Sequence, residues 1–528
     1  MIDPEAPPPT AGSLGPGTQL MSQRRSSRLS RLRLCGSDGT ATSTVLSCAA
    51  GSILPFVSTL DARALRATCR EAHAAVLAFP FEESGYWSET DRVWYPGPLI
   101  GQGLAHSEEQ LAACLRRWRA CFPCATGASL AGHPFVTAAM ISTHLSAVRS
   151  IDLSDCAHLT NAALAPLASL ERLMLNNPSA RLTDAGLAPL AGRLRFLVCG
   201  NFPALTSAAF AHLQGLETLV MWGNEQEALD DAAFAHLGSL RTLVMGNCDQ
   251  LTITDAAFAP LRSLQRLLMW GCTQPTITDG AFAPLVGVKS LSVSFCSQGT
   301  ITDAAFAPLA GIRSLKMIGC NQATITDAAF AALAGIHSLD MSGCNQATIT
   351  DAAFVPLAGI HSLSMSGCNQ ATITDAAFVP LAGIQSLNMS GCNQASITDA
   401  AFAPLAGIQS LNMSGCSQAT ITDAAFAPLA GIRSLKMIGC SQATITDAAF
   451  APLAGIQSLD MSGCNQATIT DAAFAPLAGI GSLSMRWCQA SITGAAFAPL
   501  AGIRQLDMRS SAPGLIAAAR AAGLPVIG

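Results

Sequence analysis

Residues 301–324 read ITDAAFAPLAGIRSLKMIGCNQAT, and nearly the same wording returns along much of the 528-residue chain. Cys248, Cys272, Cys296, Cys320, Cys344, Cys368, Cys392, Cys416, Cys440, Cys464 and Cys488 lie one period of 24 residues apart. A fixed period of this size is the signature of a solenoid, in which each unit buries its apolar side against the next. Within one unit Leu315 and Met317 alternate with Lys316, so a short strand is predicted to turn the first two inward and the lysine outward. Thr302 and Asp303 are placed to cap a short helix in which Phe306 and Leu309 share a face. Pro308 limits that helix and Gly311 ends it.

Ile312, Leu315, Met317 and Cys320 give I-x-x-L-x-M-x-x-C, which resembles the leucine-rich repeat. Weaker copies carry Cys156, Pro178, Phe202 and Asn224 in the cysteine slot upstream, and Ser511 downstream. About sixteen turns over residues 148–511 are predicted. The fold class is an α/β repeat, a leucine-rich-repeat solenoid shaped as a horseshoe with a parallel sheet on its concave face. Residues 512–528 are read as a C-terminal cap.

The cysteine slot faces the interior. Stacked, parallel thiols have poor geometry for a disulfide, and a small buried polar side chain there can bond the backbone of its turn. The ladder is therefore read as packing, without metal and without redox chemistry. No leader-like apolar segment stands near Met1, so a reducing, intracellular setting is expected, cytoplasm or nucleus. The net charge of −5, with only 12% charged residues, gives no basic surface for nucleic acid. Polar residues interrupt every apolar stretch, so no membrane span is predicted.

The front of the chain differs. Residues 1–44 are rich in Pro, Gly, Ser and Arg and read as a disordered tail. Arg24, Arg25, Arg28, Arg31 and Arg33 fit a nuclear-import signal, an organelle transit peptide or a plain solvated tail. In residues 45–80, Leu60, Leu65, Cys69, Ala72 and Val76 fall at helical spacings, with Asp61 as a cap. The run from Ile53 through Leu54, Pro55, Phe56 and Val57 to Leu60-Asp61, Leu65 and Cys69-Arg70 resembles an F-box. It departs from that family at Val45-Leu46, where the opening Leu-Pro pair is absent. The resemblance implies that this segment binds the adaptor of a cullin–RING ubiquitin ligase through Leu54, Pro55, Leu60, Leu65 and Cys69. The alternative is a helical cap shielding the first repeat. Residues 81–147 are read as linker and N-terminal cap, with Leu111, Leu115 and Trp118 on one helix face. Cys121 and Cys124 form a lone CxxC, and with neither a second ligand pair nor a thioredoxin-like context no zinc or redox site is expected there.

No nucleophile elbow, zinc-protease helix, phosphate loop or dinucleotide fingerprint occurs, and neither an enzyme nor a cofactor is expected. His337 and His361 occupy equivalent positions of adjacent turns and are read as solvated rim residues. The informative pattern is the outward strand slot. It holds Met174, Val198, Val220, Val244 and Leu268, then switches to Ser292, Lys316, Asp340, Ser364, Asn388, Asn412, Lys436, Asp460 and Ser484. Phe196, Trp222 and Trp270 flank the apolar stretch. A target-binding patch of Phe196, Val198, Val220, Trp222, Val244, Leu268 and Trp270 is therefore predicted, either open or covered by residues 86–135. Residues 301–324 recur as 421–444 with a single change, which reads as block duplication. The leading functional reading is the substrate receptor of a cullin–RING ligase, with adaptor, cullin and an unidentified target protein as partners. The alternative is an interaction scaffold with no ligase role.

Overall fold

The computed structural model describes residues 85–88, 93–96, 100, 105–488 and 491–527. Residues 1–44 and 45–80, including all five expected adaptor contacts, lie outside the described residues. The chain divides into two compact units, Met1–Leu182 and Thr183–Gly528.

In the first unit β1 (Gly85–Ser88) and β2 (Val93–Pro96) pair antiparallel, with Trp87 opposite Trp94. Helix α1 (Glu108–Cys121) starts at Ser107, whose side chain accepts from the Gln110 N–H. Leu111, Leu115 and Trp118 recur every three or four residues and are buried, as the spacing predicts. Helix α2 (Ala138–His144) is capped in the same way by Thr137. Strands β3 (Gly127–Ser129), β4 (Ser150–Asp152) and β5 (Arg172–Met174) pair parallel in that order. Strand β3 falls in the stretch read as linker and cap, which the repeat wording does not reach.

The second unit is a run of three-residue parallel strands from Phe196–Val198 to Gln505–Asp507, closed by the two-residue strand Val526–Ile527. Most pair one period apart, Leu315 with Leu339 and Leu339 with Leu363, so like residues stack on like. Leu315, Met317 and Cys320 are buried and Lys316 is half-buried, which confirms the inward and outward assignment. Helix Pro513–Ala521 precedes the last strand.

The segment opposite the strand differs from the expected short α-helix. It is three-ten helix in most turns, as in Asp327–Leu333 and Asp351–Leu357, while Asp184–Leu187 is a short α-helix. The residues themselves explain this. Three residues per turn eclipse positions i and i+3, so Phe330 and Leu333 face the core together, with Ala329 beside them. The helix ends at the leucine alike with Pro356 and with Ala332 before it, so the proline tolerates this geometry and does not set it.

Side-chain ladders tie each turn to the next. Thr326 Oγ1 accepts from the Ala328 N–H and donates to Asp303 Oδ2 at 2.7 Å, and its own N–H donates to Asp303 Oδ1 at 2.7 Å. The same trio recurs at Thr350 with Asp327 and at Thr374 with Asp351. Gln322 is buried and donates to the Cys296 carbonyl at 3.1 Å. Asn345 and Asn369 extend a further ladder, each accepting from the backbone N–H one period on.

Candidate interaction surface

The cysteine slot is chemically quiet. Cys320 donates to the Val293 carbonyl at 3.0 Å and Cys344 to the Met317 carbonyl at 3.0 Å, a pattern kept from Cys248 to Cys488. Asn224 does the same work in that slot, donating to the Cys199 and Met221 carbonyls and accepting from the Phe202 N–H. Ser511 donates to the Met485 carbonyl at 2.7 Å. Burial pushes the Cys320, Cys368 and Cys416 thiols up from 9.0 to about 12. All sixteen cysteines of the described residues are free, and no group of three or more potential metal ligands occurs among those residues.

On the strand face the residues of the predicted patch stand at different depths. Val198, Val220 and Val244 are no more than 1% exposed, and Phe196, Trp222, Leu268 and Trp270 are half-buried. The valines therefore present almost nothing to a partner. Strand spacing alone does not cause this, because the smaller Ser364 and the Asn388 of later turns are half-exposed in the same slot. The large neighbours contribute. The Trp270 ring occupies the space where a side chain at Gly246 would stand, so it lies back over the previous turn, on the side of the sheet that carries Val244. Met174, in the first unit, is also buried.

Among the exposed large hydrophobic side chains of the described residues two are aromatic, and neither belongs to the predicted patch. Phe295 is 54% exposed and Trp487 is 53% exposed. Both sit at the left-handed corner after the strand, with φ of 60° and 54°, where Gly319 to Gly463 serve the turns between them. Phe295 leans over Gly319, whose missing side chain makes room for the ring. Arg486 stacks on the Trp487 ring at 5.6 Å. The signal was in the repeat, since an aromatic residue replaces the glycine of the M-x-G-C wording at these two positions.

The residue preceding the strand is basic and exposed in several turns, Arg241, Lys289, Arg313, Arg433 and Arg504, whereas Gln265, Gln385, Gln409 and Gln457 stand there in others. His337 and His361 continue that row, exposed, with their rings stacked at 4.5 Å. In the first unit, Cys121 is half-buried and Cys124 exposed at the end of α1.

The sequence matches no known protein family and no curated protein. Solved structures do match. The TLR13–ssRNA13 complex aligns with a TM-score of 0.55 at 19% identity, over 74% of this chain and 62% of that one. Two structures of the Toll–Spätzle complex from Drosophila align with a TM-score of 0.54. Their identities are 14% and 16%, over 69% and 68% of this chain and 52% and 49% of theirs.

The fold is a leucine-rich-repeat solenoid.

At these identities the likeness concerns the fold alone, and this chain spans roughly half to three-fifths of its structural neighbours. A leucine-rich-repeat fold supplies a regular frame whose outward slots are free to vary from turn to turn. No helix among the described residues is long and apolar enough to cross a membrane.

Proposed function

We propose that this leucine-rich-repeat chain is a protein-interaction scaffold that recognises a protein partner with the strand face of its earlier turns. One observation carries the reading. Inward slots are nearly constant from turn to turn, whereas the outward slots change from apolar and aromatic to Ser, Asn, Lys and Asp. Packing demands the constancy and leaves the outward slots free to vary, so their variation has its use in recognition. Trp222, Leu268 and Phe295 supply the accessible apolar area in this reading, with Val198, Val220 and Val244 as the floor beneath.

The test is capture of partners by the full chain and by a Trp222→Ser/Phe295→Ser variant, with thermal melts run in parallel. The reading expects a defined partner to be held by the first and lost by the second at an unchanged melting temperature. Equal capture by both removes this surface from the proposal.

The finer reading, a substrate receptor of a cullin–RING ligase, rests on the F-box-like wording of residues 45–80. Leu54, Pro55, Leu60, Leu65 and Cys69 would contact the adaptor. Co-purification of an adaptor and cullin with the full chain, abolished by Leu65→Asp, is the result it requires. Absence of both subunits leaves the scaffold reading alone.

A further inference from the structure

The wording of the repeat breaks at one place near the end of the strand face. From Gly319 to Gly463 the turns hold glycine at the left-handed corner, whereas the turn after strand Ser482–Ser484 holds Trp487 there, with φ 54°. The residue before it is Arg486, and the next turn has Arg509 in the same slot, which is serine or isoleucine from Ser294 to Ser462. Packing explains neither change. Trp487 is 53% exposed, so burial does not offset the strain that a large side chain meets in this conformation. Strained residues of this kind gather at binding sites.

A buried carboxylate organises the two arginines. Asp507 is 6% exposed and accepts from Arg509 Nε at 3.0 Å and Nη2 at 2.7 Å, and Arg486 Nε stands 3.6 Å from its Oδ2. The hydrogen bond from Arg509 holds the Asp507 carboxyl below the usual carboxylate range, so the acid stays charged and keeps both guanidiniums in place. Two cations over one covered anion leave a net positive charge at the surface, and the nearest earlier acid in the Asp507 slot is Asp460, two turns back. Arg509 is exposed and uses two of its five side-chain N–H groups on Asp507, so three remain. The Arg486 guanidinium also lies 5.6 Å from the centre of the Trp487 ring, which joins cations and ring in one surface.

We propose that Arg486, Trp487 and Arg509 form a second docking surface, for an acidic peptide segment that carries a large apolar side chain beside its carboxylate. The carboxylate pairs with the forked N–H groups of Arg509 and with Arg486, whose positions Asp507 has already fixed. The apolar side chain covers the exposed Trp487 ring. Binding then removes from water the one aromatic ring that the corner holds out, and it neutralises the cationic excess. Tryptophan and arginine are the side chains that most often dominate such contacts. This surface shares no residue with the earlier-turn surface of Trp222 and Phe295, and it does not rest on that reading.

The experiment follows the fluorescence anisotropy of a labelled peptide of alternating Glu and Phe as the full chain is added. Peptides of alternating Lys and Phe and of alternating Glu and Ser serve as controls. The Glu-Phe peptide should bind, less tightly as salt is raised, and each control should bind at least about tenfold more weakly. Trp487→Gly should weaken binding about thirtyfold, as loss of an interface tryptophan does. Its melting temperature should hold or rise, because glycine suits the corner. Arg509→Gln, at an exposed position, should weaken binding at least about tenfold. Trp222→Ser/Phe295→Ser should leave it unchanged. Failure of the Glu-Phe peptide to bind would overturn the proposal, as would equal binding of the Lys-Phe peptide. So would full affinity in Trp487→Gly and Arg509→Gln, or loss of binding in Trp222→Ser/Phe295→Ser, which would place the peptide on the earlier turns.

Discussion

A thiol suits the slot of Cys320 because it fills a small interior space and still donates to a carbonyl of the turn before it. Asn224 and Ser511 donate there too, and Pro178 and Phe202 fill the slot with no side-chain donor, so the slot does not require sulfur chemistry. A pH dependence follows. Folding raises the pKa of these thiols from 9.0 to about 12, so the folded state holds its protons more tightly. Their contribution to stability is complete below pH 9 and is lost as the pH rises from 9 toward 12. At pH 10 each such thiol should cost about 1.4 kcal/mol. Thermal melts between pH 7.5 and 10.5 should therefore show a melting temperature that is level at first and then falls steeply. A level profile to pH 10.5 would mean that the thiols titrate freely. The corner residues make a second prediction at this scale. Phe295 holds a left-handed backbone that suits glycine, with φ 60° and its ring mostly in solvent. Phe295→Gly should raise stability by about 1 kcal/mol in urea titration, and Gly319→Ala should lower it by about the same amount or more. A gain in stability together with a loss of partner binding would mark Phe295 as a residue kept for recognition.

At the scale of one turn, stability comes from clips between neighbours as much as from burial. The Thr326 and Asp303 pair joins two turns by two hydrogen bonds to one carboxylate, and Thr326 also caps its own helix. Thr326→Val should cost about 1.5 kcal/mol, and Asp303→Ala should cost a similar amount. The double variant should cost less than the sum by about 1 kcal/mol, as measured in a double-mutant cycle by urea denaturation. Additive costs would show that the two side chains act independently. The turn is also the scale at which the sequence speaks most clearly. Leu315 and Met317 against Lys316 could be assigned to inside and outside from alternation alone, and the structure agrees. Thr302 was legible as a cap. The helix type was not, because spacing of three between Phe and Leu fits both an α-helix and a three-ten helix. The burial of Val198, Val220 and Val244 was not legible either. It depends on what large neighbours such as Trp270 do with their rings, and a slot-by-slot reading does not contain that.

Across the whole molecule, the period carried the fold, since 24 residues per turn set the strand register before any contact is known. The candidate surface was only half legible. Trp222, Leu268 and Trp270 are half-buried in the outward slots that the pattern assigns them, whereas the exposed Phe295 and Trp487 were passed over although they break the glycine corner. The central claim is that recognition lies on the outward slots of the earlier turns and that the later, duplicated turns serve as length. Once a partner is in hand, it is tested most directly by titrating that partner against two forms of the chain. One is the Trp222→Ser/Phe295→Ser variant, and the other lacks residues 421–444, a whole unit whose neighbours can stack again on each other. The account predicts that the paired substitution weakens binding about thirtyfold or more, as loss of a buried interface aromatic does, while the deletion leaves affinity nearly unchanged. Loss of binding in the deletion with full affinity in the paired variant would contradict it and move recognition to the later turns.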